Sequence, residues 1–474
     1  MTTQTTSAAH EVLTALRAAA RGTVIGPGDP DYDRLRTIMY GGLDQHPAVI
    51  ARVVDAADIA AVLDVARRTG LELAIRSGGH SGAGHSSTEG GIVLDVRELR
   101  ELDVDVDGRT VWAGSGLTGA DVSTALAEHG LAVGFGDTGS VGIAGITLGG
   151  GVGYLVRKHG LTIDSLLAAD IVTADGQLHR VDADHEPDLF WAIRGGGGNF
   201  GVATRFRYRL RELPGIVGGI LVLPATAETV AGFIAAAEAA PDELSTIANV
   251  MNCPPMPFVA EEHHGEVVIL AMMVWAGAPA AADDVYAPFR GLATPLADLV
   301  HPSSYPEMFP PEDESYHPTA SGRTMFMDRI GLHEAGLIVD RLRASDASLR
   351  VAQLRVLGGA MARVPADATA FAHRSSRIMV NVAAFYEGED DRLVRKAWVE
   401  RLATDLRQDD RGAYVNFLTD EGENGVRAAY PGRTFDRLAA IKRRHDPDNL
   451  FRRNQNVPPA RAEGAIGWAT SSTR

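Results

Sequence analysis

Two histidines, His80 and His85, stand inside the glycine-rich run RSGGHSGAGHSS at residues 76–87. An imidazole in such a place can serve as a metal ligand, a proton carrier or a nucleophile. The metal reading lacks ligands, because the spacing is H-x4-H on a glycine loop and Glu89 is the nearest carboxylate. No metal is expected. Two further glycine-rich runs follow, GFGDTGSVGIAGITLGGGVGYLVRKHGL at 134–161 and LFWAIRGGGGNFGVAT at 189–204. Backbone amides without side chains can approach a pyrophosphate and form anion-binding nests. One such loop is ordinarily a tight turn between strands. Three in so short a span point instead to one large cofactor touched from several sides. A nicotinamide dinucleotide is the rival, since Gly114, Gly116 and Gly119 satisfy G-x-G-x-x-G, as do Gly196, Gly198 and Gly201. Neither match shows the helix, strand and distal acidic residue of that fingerprint, so nicotinamide binding is not expected.

These loops need elements to hold them. The run DAADIAAVLDVARRTG puts Ile59, Val62, Leu63 and Ala66 on one helical face, with Asp55 as N-cap and Gly70 as stop. LELAIRS then reads as a strand leading straight into the first loop. IVLDV, RTVWAGSG and DIVTADGQLHRVD supply further strands, with Asp107-Gly108 and Asp175-Gly176 as hairpin turns. The texture changes after Pro214. Longer β-type runs appear there: IVGGILVLP, EVVILAMMVWAG, RVAQLRVLGG and RIMVNVAAFYEG. Helical segments near 226–240, 280–292, 333–345 and 391–406 separate them, which predicts one antiparallel sheet covered by helices. MFPPEDESYHP is expected to be a surface loop, and only the last dozen residues look disordered.

Composition sets limits on function. A chain of 474 residues can hold two or more domains with cores of their own. No apolar run approaches the roughly 18–20 residues a membrane span needs, so no membrane partner is expected. The net charge of −16 opposes a nucleic-acid partner, which calls for clustered Lys and Arg. Cys253 is the single cysteine, which excludes internal disulfides and a cysteine metal cluster. In its Pro-rich turn it is expected to be an inert, partly buried thiol. The opening MTTQTTSAAHEVL is neither basic nor apolar, so a cytoplasmic location is expected.

Three ordered motifs carry a resemblance. PAVIARVVDAADIAAVLDVARRTGLELAIRSGGHS resembles the start of the FAD-binding domain in the vanillyl-alcohol oxidase superfamily. WAIRGGGGNFGV resembles a second FAD loop, and YVNFLTDEGE followed by YPGRTFDRLAAIKRRHDPDNLFRRNQNVPP resembles the C-terminal signature of its berberine-bridge-enzyme-like group. The resemblance implies an α+β fold: a PCMH-type FAD-binding domain of two α/β subdomains, plus a substrate domain whose antiparallel sheet is covered by helices. The implied division is 1–214, 215–420 and a C-terminal segment, 421–474, that returns to the FAD-binding domain. The implied cofactor contacts are Arg76, Ser77, Gly78, Gly79, His80, Ser81, Gly84 and His85, then Gly136, Thr138, Gly139, Val141, Gly142, Gly145, Ile146, Gly150 and Gly153, then Gly201, Val202, Asn416, Asn454 and Asn456. Arg76 to Ser81 would follow the pyrophosphate, and His85 would be a bystander or a hydrogen-bonding neighbour. His80 matches the histidine bonded covalently to the flavin 8α-methyl. Thr138 stands where many relatives carry a second, cysteinyl link, so a single covalent bond is expected.

The implied chemistry is hydride transfer from a C–H beside an oxygen or nitrogen to flavin N5, with O2 as acceptor and peroxide as product. The expected partners are therefore a small-molecule substrate and O2. Val141 matches a gatekeeper position where valine accompanies oxygen access. A dehydrogenase with another acceptor, or a flavin-binding protein without turnover, is the alternative. The base is the gap: many relatives read Y-x-N-Y where this chain has Tyr414-Val415-Asn416-Phe417, and Phe417 cannot accept a proton. Strand alternation puts Gln353 and Arg355 on one face, and the matching strand lines the active site in relatives. Arg355 either faces the flavin, where it would hold an anionic or oxygen-rich substrate or stabilise reduced anionic flavin, or pairs with a surface carboxylate. Tyr386 and Tyr414 are the other candidate catalytic residues.

Overall fold

The computed structural model describes residues 2–309, 313 and 315–461. The expectation for the last dozen residues falls outside them. The first helix of the α/β unit, Ala56–Thr69, forms as its pattern requires: Asp55 accepts the Asp58 N–H, Gly70 closes the end at φ +70°, and Ile59, Val62, Leu63 and Ala66 are buried. Strands Val49–Arg52, Ile92–Asp95 and Leu73–Arg76 pair in parallel, and Thr23–Ile25 adds antiparallel at one edge. A second, five-stranded antiparallel sheet combines Leu102–Asp105, Thr110–Gly114, Val202–Arg209, Leu166–Val172 and Leu178–Asp182. The first G-x-G-x-x-G run does enter a helix, Gly119–Ala127, contrary to the sequence reading. The strand before it, however, belongs to the antiparallel sheet, which is no βαβ context.

The large antiparallel sheet runs Ala297–Asp298, Ile216–Pro224, Val267–Trp275, Leu244–Asn252, Arg350–Val356, Ile378–Phe385, Ala320–Met327, with His301–Ser303 also on Ile216–Pro224. Four of its strands, Leu244–Asn252, Ala320–Met327 and the short Ala297–Asp298 and His301–Ser303, went unread in the sequence. Helices Ala227–Ala239, Ala282–Arg290, Leu332–Arg343 and Gly388–Asp405 supply apolar residues to one of its faces. Ala352, Leu354 and Val356 point into that core. Period two therefore turns Gln353 and Arg355 the other way. Cross-strand register sets Asn249 opposite Gln353, and Gln353 opposite Asn381.

A separate core joins residues 111–210 with Ala413, Val415, Leu418 and the segment through Val457, so the chain end does come back to the first part. In the Pro-rich stretch Tyr316 is exposed, but Met308 and Phe309 are buried against Tyr154 and Tyr305. Cys253 is buried, and burial pushes its thiol pKa up, as an inert thiol requires. Among the described residues no helix is long and apolar enough to cross a membrane, and no His, Cys, Asp and Glu group could hold a metal.

Candidate active site

One cavity of about 800 Å³ lies where the three glycine loops meet the polar face of the large sheet. Strand Leu73–Arg76 delivers the first loop to it. The Arg76 guanidinium does not reach the cavity. It is buried and donates to the Ser86 and Arg36 carbonyls, at 2.9 and 3.2 Å, and to that of Leu35. Arg76 thus braces the loop rather than meeting a phosphate, a correction to the sequence expectation. Ser77 Oγ donates to the Ser115 carbonyl at 2.8 Å. The loop is pressed so closely on the second one that a Cβ on Gly142 would stand 2.1 Å from Ser77 Oγ and 2.2 Å from Gly78 N. His80 Nε2 lies 2.7 Å from Ser140 Oγ, so the second loop also holds the histidine ring. His85 receives its own backbone tie, its N–H donating to Ser81 Oγ at 3.2 Å. Burial, then the nearby Arg453 charge, pushes the His85 pKa down to about 4.

Ser77, Gly78, Gly79, His80, Ser81, His85, Thr138, Val141, Gly142, Gly145, Ile146, Gly201, Val202, Asn416 and Asn454 all line this cavity, as do Gln353, Arg355, Tyr386 and Tyr414. Arg76, Gly84, Gly136, Gly139, Gly150, Gly153 and Asn456 are not among its lining residues. The reason is visible for Gly153, where a Cβ would fall 2.4 Å from the Gly136 Cα: these two glycines let their own backbones touch. The sequence reading missed Tyr40, Asp137, Arg323, Asn381 and Arg392 on the wall. No motif marks them; only Asn381 had a signal, in the alternation of RIMVNVAAFYEG.

The third loop is anchored from the far end of the chain. Asn454 donates to the Gly198 carbonyl at 3.0 Å, and the Asn199 side chain bonds Gln455 O and the Val457 N–H. Asn416 stands against Gly149 and donates to the Ile146 carbonyl and the Tyr414 hydroxyl. That hydroxyl also accepts the Gly151 and Val152 N–H groups at 3.0 and 3.3 Å, and burial raises its pKa. Tyr414 is occupied as an acceptor for backbone. Tyr386 is half-buried, with its pKa also raised by burial. Arg355 pairs with a carboxylate, but with one on the cavity wall rather than at the outer surface: its Nη2 lies 2.6 Å from Asp137 Oδ2.

The residues fit FAD. Added Cβ atoms on Gly79, Gly145 and Gly198, one from each loop, would meet nothing within 4 Å, so these backbones face open space. Buried Ser86 Oγ and Asn454 Oδ1 have no protein partner and border the same space. Open glycine backbones and unpaired polar atoms on such walls suit a large cofactor with polar groups to satisfy.

Known proteins agree with this geometry. Residues 47–182 match the family model described as FAD binding domain, and residues 413–458 match the one described as berberine and berberine like. The chain is 31% identical over 456 residues to (R)-6-hydroxynicotine oxidase of Paenarthrobacter nicotinovorans, covering 93% of this chain and 97% of that protein. Among solved structures, 6-hydroxy-D-nicotine oxidase from Arthrobacter nicotinovorans superposes with a TM-score of 0.81 at 28% identity, over 93% of this chain and 98% of the other. The xylooligosaccharide oxidase of Myceliophthora thermophila shares the fold, with a TM-score of 0.82 at 22% identity, over 95% and 100%.

Proposed function

We propose that this chain, which belongs to the berberine-bridge-like FAD-linked oxidoreductases, is an oxidase that carries FAD on His80 and dehydrogenates a small alcohol or amine. Membership of the family makes it an FAD-dependent oxidoreductase. The observation that carries the rest is the meeting of three glycine loops, His80 and a polar sheet face on one cavity. The cofactor supplies a hydride acceptor that O2 can regenerate with release of hydrogen peroxide.

The chain's own residues prepare that chemistry. Amides of Gly78, Gly79 and Gly198 offer donors to a pyrophosphate without any lysine. Ser140 orients the His80 imidazole for bonding, and Thr138 offers no second sulfur link. Val141 leaves a β-branched wall where oxygen would enter. Tyr414 and Asn416 hold the 146–152 backbone that forms the floor. The working division is 1–214 for cofactor, 215–420 for substrate and 421–474 returning, and two separate apolar cores support it. Contacts with the first part are made already at Ala370 and Arg374, and they resume at Ala413.

The test is the fate of the yellow colour. Acid-precipitated wild-type protein should keep its flavin in the pellet, and His80→Ala should release it to the supernatant. Wild-type flavin that washes out freely would refute the covalent reading.

A further inference from the structure

We infer that Asp137 is the group that receives the substrate's O–H or N–H hydrogen, and that its pairing with Arg355 makes the cavity select hydrogen donors and reject anions. The inference rests on the proposed oxidase reading and names the substrate chemistry of the same site. It begins from the donors of Arg355. Nε donates to Gln353 Oε1 at 3.0 Å, and Nη2 donates to the same oxygen at 2.6 Å and to Asp137 Oδ2 at 2.6 Å. Nη1 is sealed from solvent and has no hydrogen-bond partner. The guanidinium also sits over the Phe417 ring, 5.2 Å from its centroid. The Nε and Nη2 donors of Arg355 are therefore already taken by Gln353 and Asp137. The unpartnered Nη1 is closed off from solvent, so no donor that reaches the open cavity is left for an incoming anion.

Gln353 is held in turn, its Nε2 donating to Asn249 Oδ1 at 2.9 Å. The chain Asn249–Gln353–Arg355–Asp137 crosses two strands and ends at the cavity. Its last member is the open one: the Asp137 side chain is 19% exposed against 5% for Arg355. Asp137 Oδ2 is taken by Arg355, whereas Oδ1 has no protein donor among the described residues. A carboxylate oxygen left without donors on a cavity wall accepts an O–H or N–H. The other cations on the wall are also matched. Arg323 pairs with Asp420 and Glu400, Arg392 with Glu389, and Lys396 with Asp420.

An alcohol would lose two hydrogens, one from oxygen and one from carbon. The O–H bond breaks and the Asp137 Oδ1–H bond forms, while the electron pair stays on oxygen and closes the C=O. The carbon-bound hydrogen would leave as hydride, and FAD held by the three glycine loops and His80 would supply the two-electron acceptor that balances the oxidation of the substrate.

The experiment uses purified holoprotein at neutral pH and two probes of one shape, benzylammonium and benzoate, titrated by calorimetry. Wild type should favour benzylammonium. Asp137→Asn uncovers Arg355 and should shift the ratio of the two affinities toward benzoate by about tenfold or more. The Asp137→Asn/Arg355→Met pair, which removes both charges, should lose the wild-type preference without gaining benzoate; it serves if the single variant fails to fold. A wild-type preference for benzoate, a shift smaller than about tenfold, or silence of both probes overturns the inference. Calorimetry needs no flavin colour, so the two readings fail separately. Yellow acid pellets with no shift sink only this one, and colourless pellets with the shift sink only the covalent cofactor.

Discussion

Lys442 is the point at which the C-terminal segment is locked to the cofactor loops, and its replacement should be costly. Its ammonium is fully buried on helix Arg433–His445 and lies 2.8 Å from Asp446 Oδ2. It also donates to the Asn199 carbonyl at 2.8 Å and the Phe451 carbonyl at 2.7 Å. Asp446, equally buried, accepts the Leu450 and Phe451 N–H groups at 2.7 and 2.9 Å. One charge thus ties a helix, the third glycine loop and the strap that carries Phe451, Asn454 and Gln455 to the cavity. Burial pushes the Lys442 pKa below its ordinary value, with Asp446 opposing, so the charge is retained only because these partners are in place. Lys442→Met keeps the length but leaves a buried carboxylate without its cation and two carbonyls without a donor. Removing one member of a buried pair costs about 3–5 kcal/mol. Urea unfolding followed by tryptophan fluorescence should show that loss, and the purified variant should carry less flavin per chain. Lys442→Met/Asp446→Leu, with both charges gone, should recover most of the stability. A loss below about 1 kcal/mol in the single variant would refute the argument that this pair locks the strap.

Two further outcomes follow from the loops. Gly142→Ala sets a methyl within 2.1 Å of Ser77 Oγ and 2.2 Å of Gly78 N, so the two loops must part, and the protein should be purified with little flavin while its far-UV circular dichroism stays near wild type. His85 is protonated below about 4 in the folded chain against 6.5 in the unfolded one. Between those values the unfolded chain binds more protons, so stability present above pH 6.5 is lost as pH falls toward 4, by roughly 3 kcal/mol. In His85→Asn, denaturant midpoints measured across that range should fall less steeply.

The sequence by itself carried the local elements. Asp55 and Gly70 bound their helix because a cap and a stop act within one turn, and IVGGILVLP matches the strand Ile216–Pro224 residue for residue. It missed Leu244–Asn252 and Ala320–Met327, whose runs mix Ser, Thr, Asn, Gly and Arg; the first becomes a strand between two neighbours, and the second by pairing at the sheet's edge with Ile378–Phe385. The glycine loops and His80 were legible because cofactor contact demands unusual residue types in short runs. Arg76 was misjudged, since a guanidinium beside a glycine loop looks the same in sequence whether it meets a phosphate or three carbonyls. Asp137 was invisible, lying inside a glycine run with no pattern of its own. Its role depends on Arg355, 218 residues away, and only the docking of the sheet face onto the second loop brings the two to 2.6 Å. Periodicity and capping are short-range, so one chain segment suffices to read them. The charge balance of a cavity is set by side chains that meet only when the domains close, and that the tertiary structure alone decides.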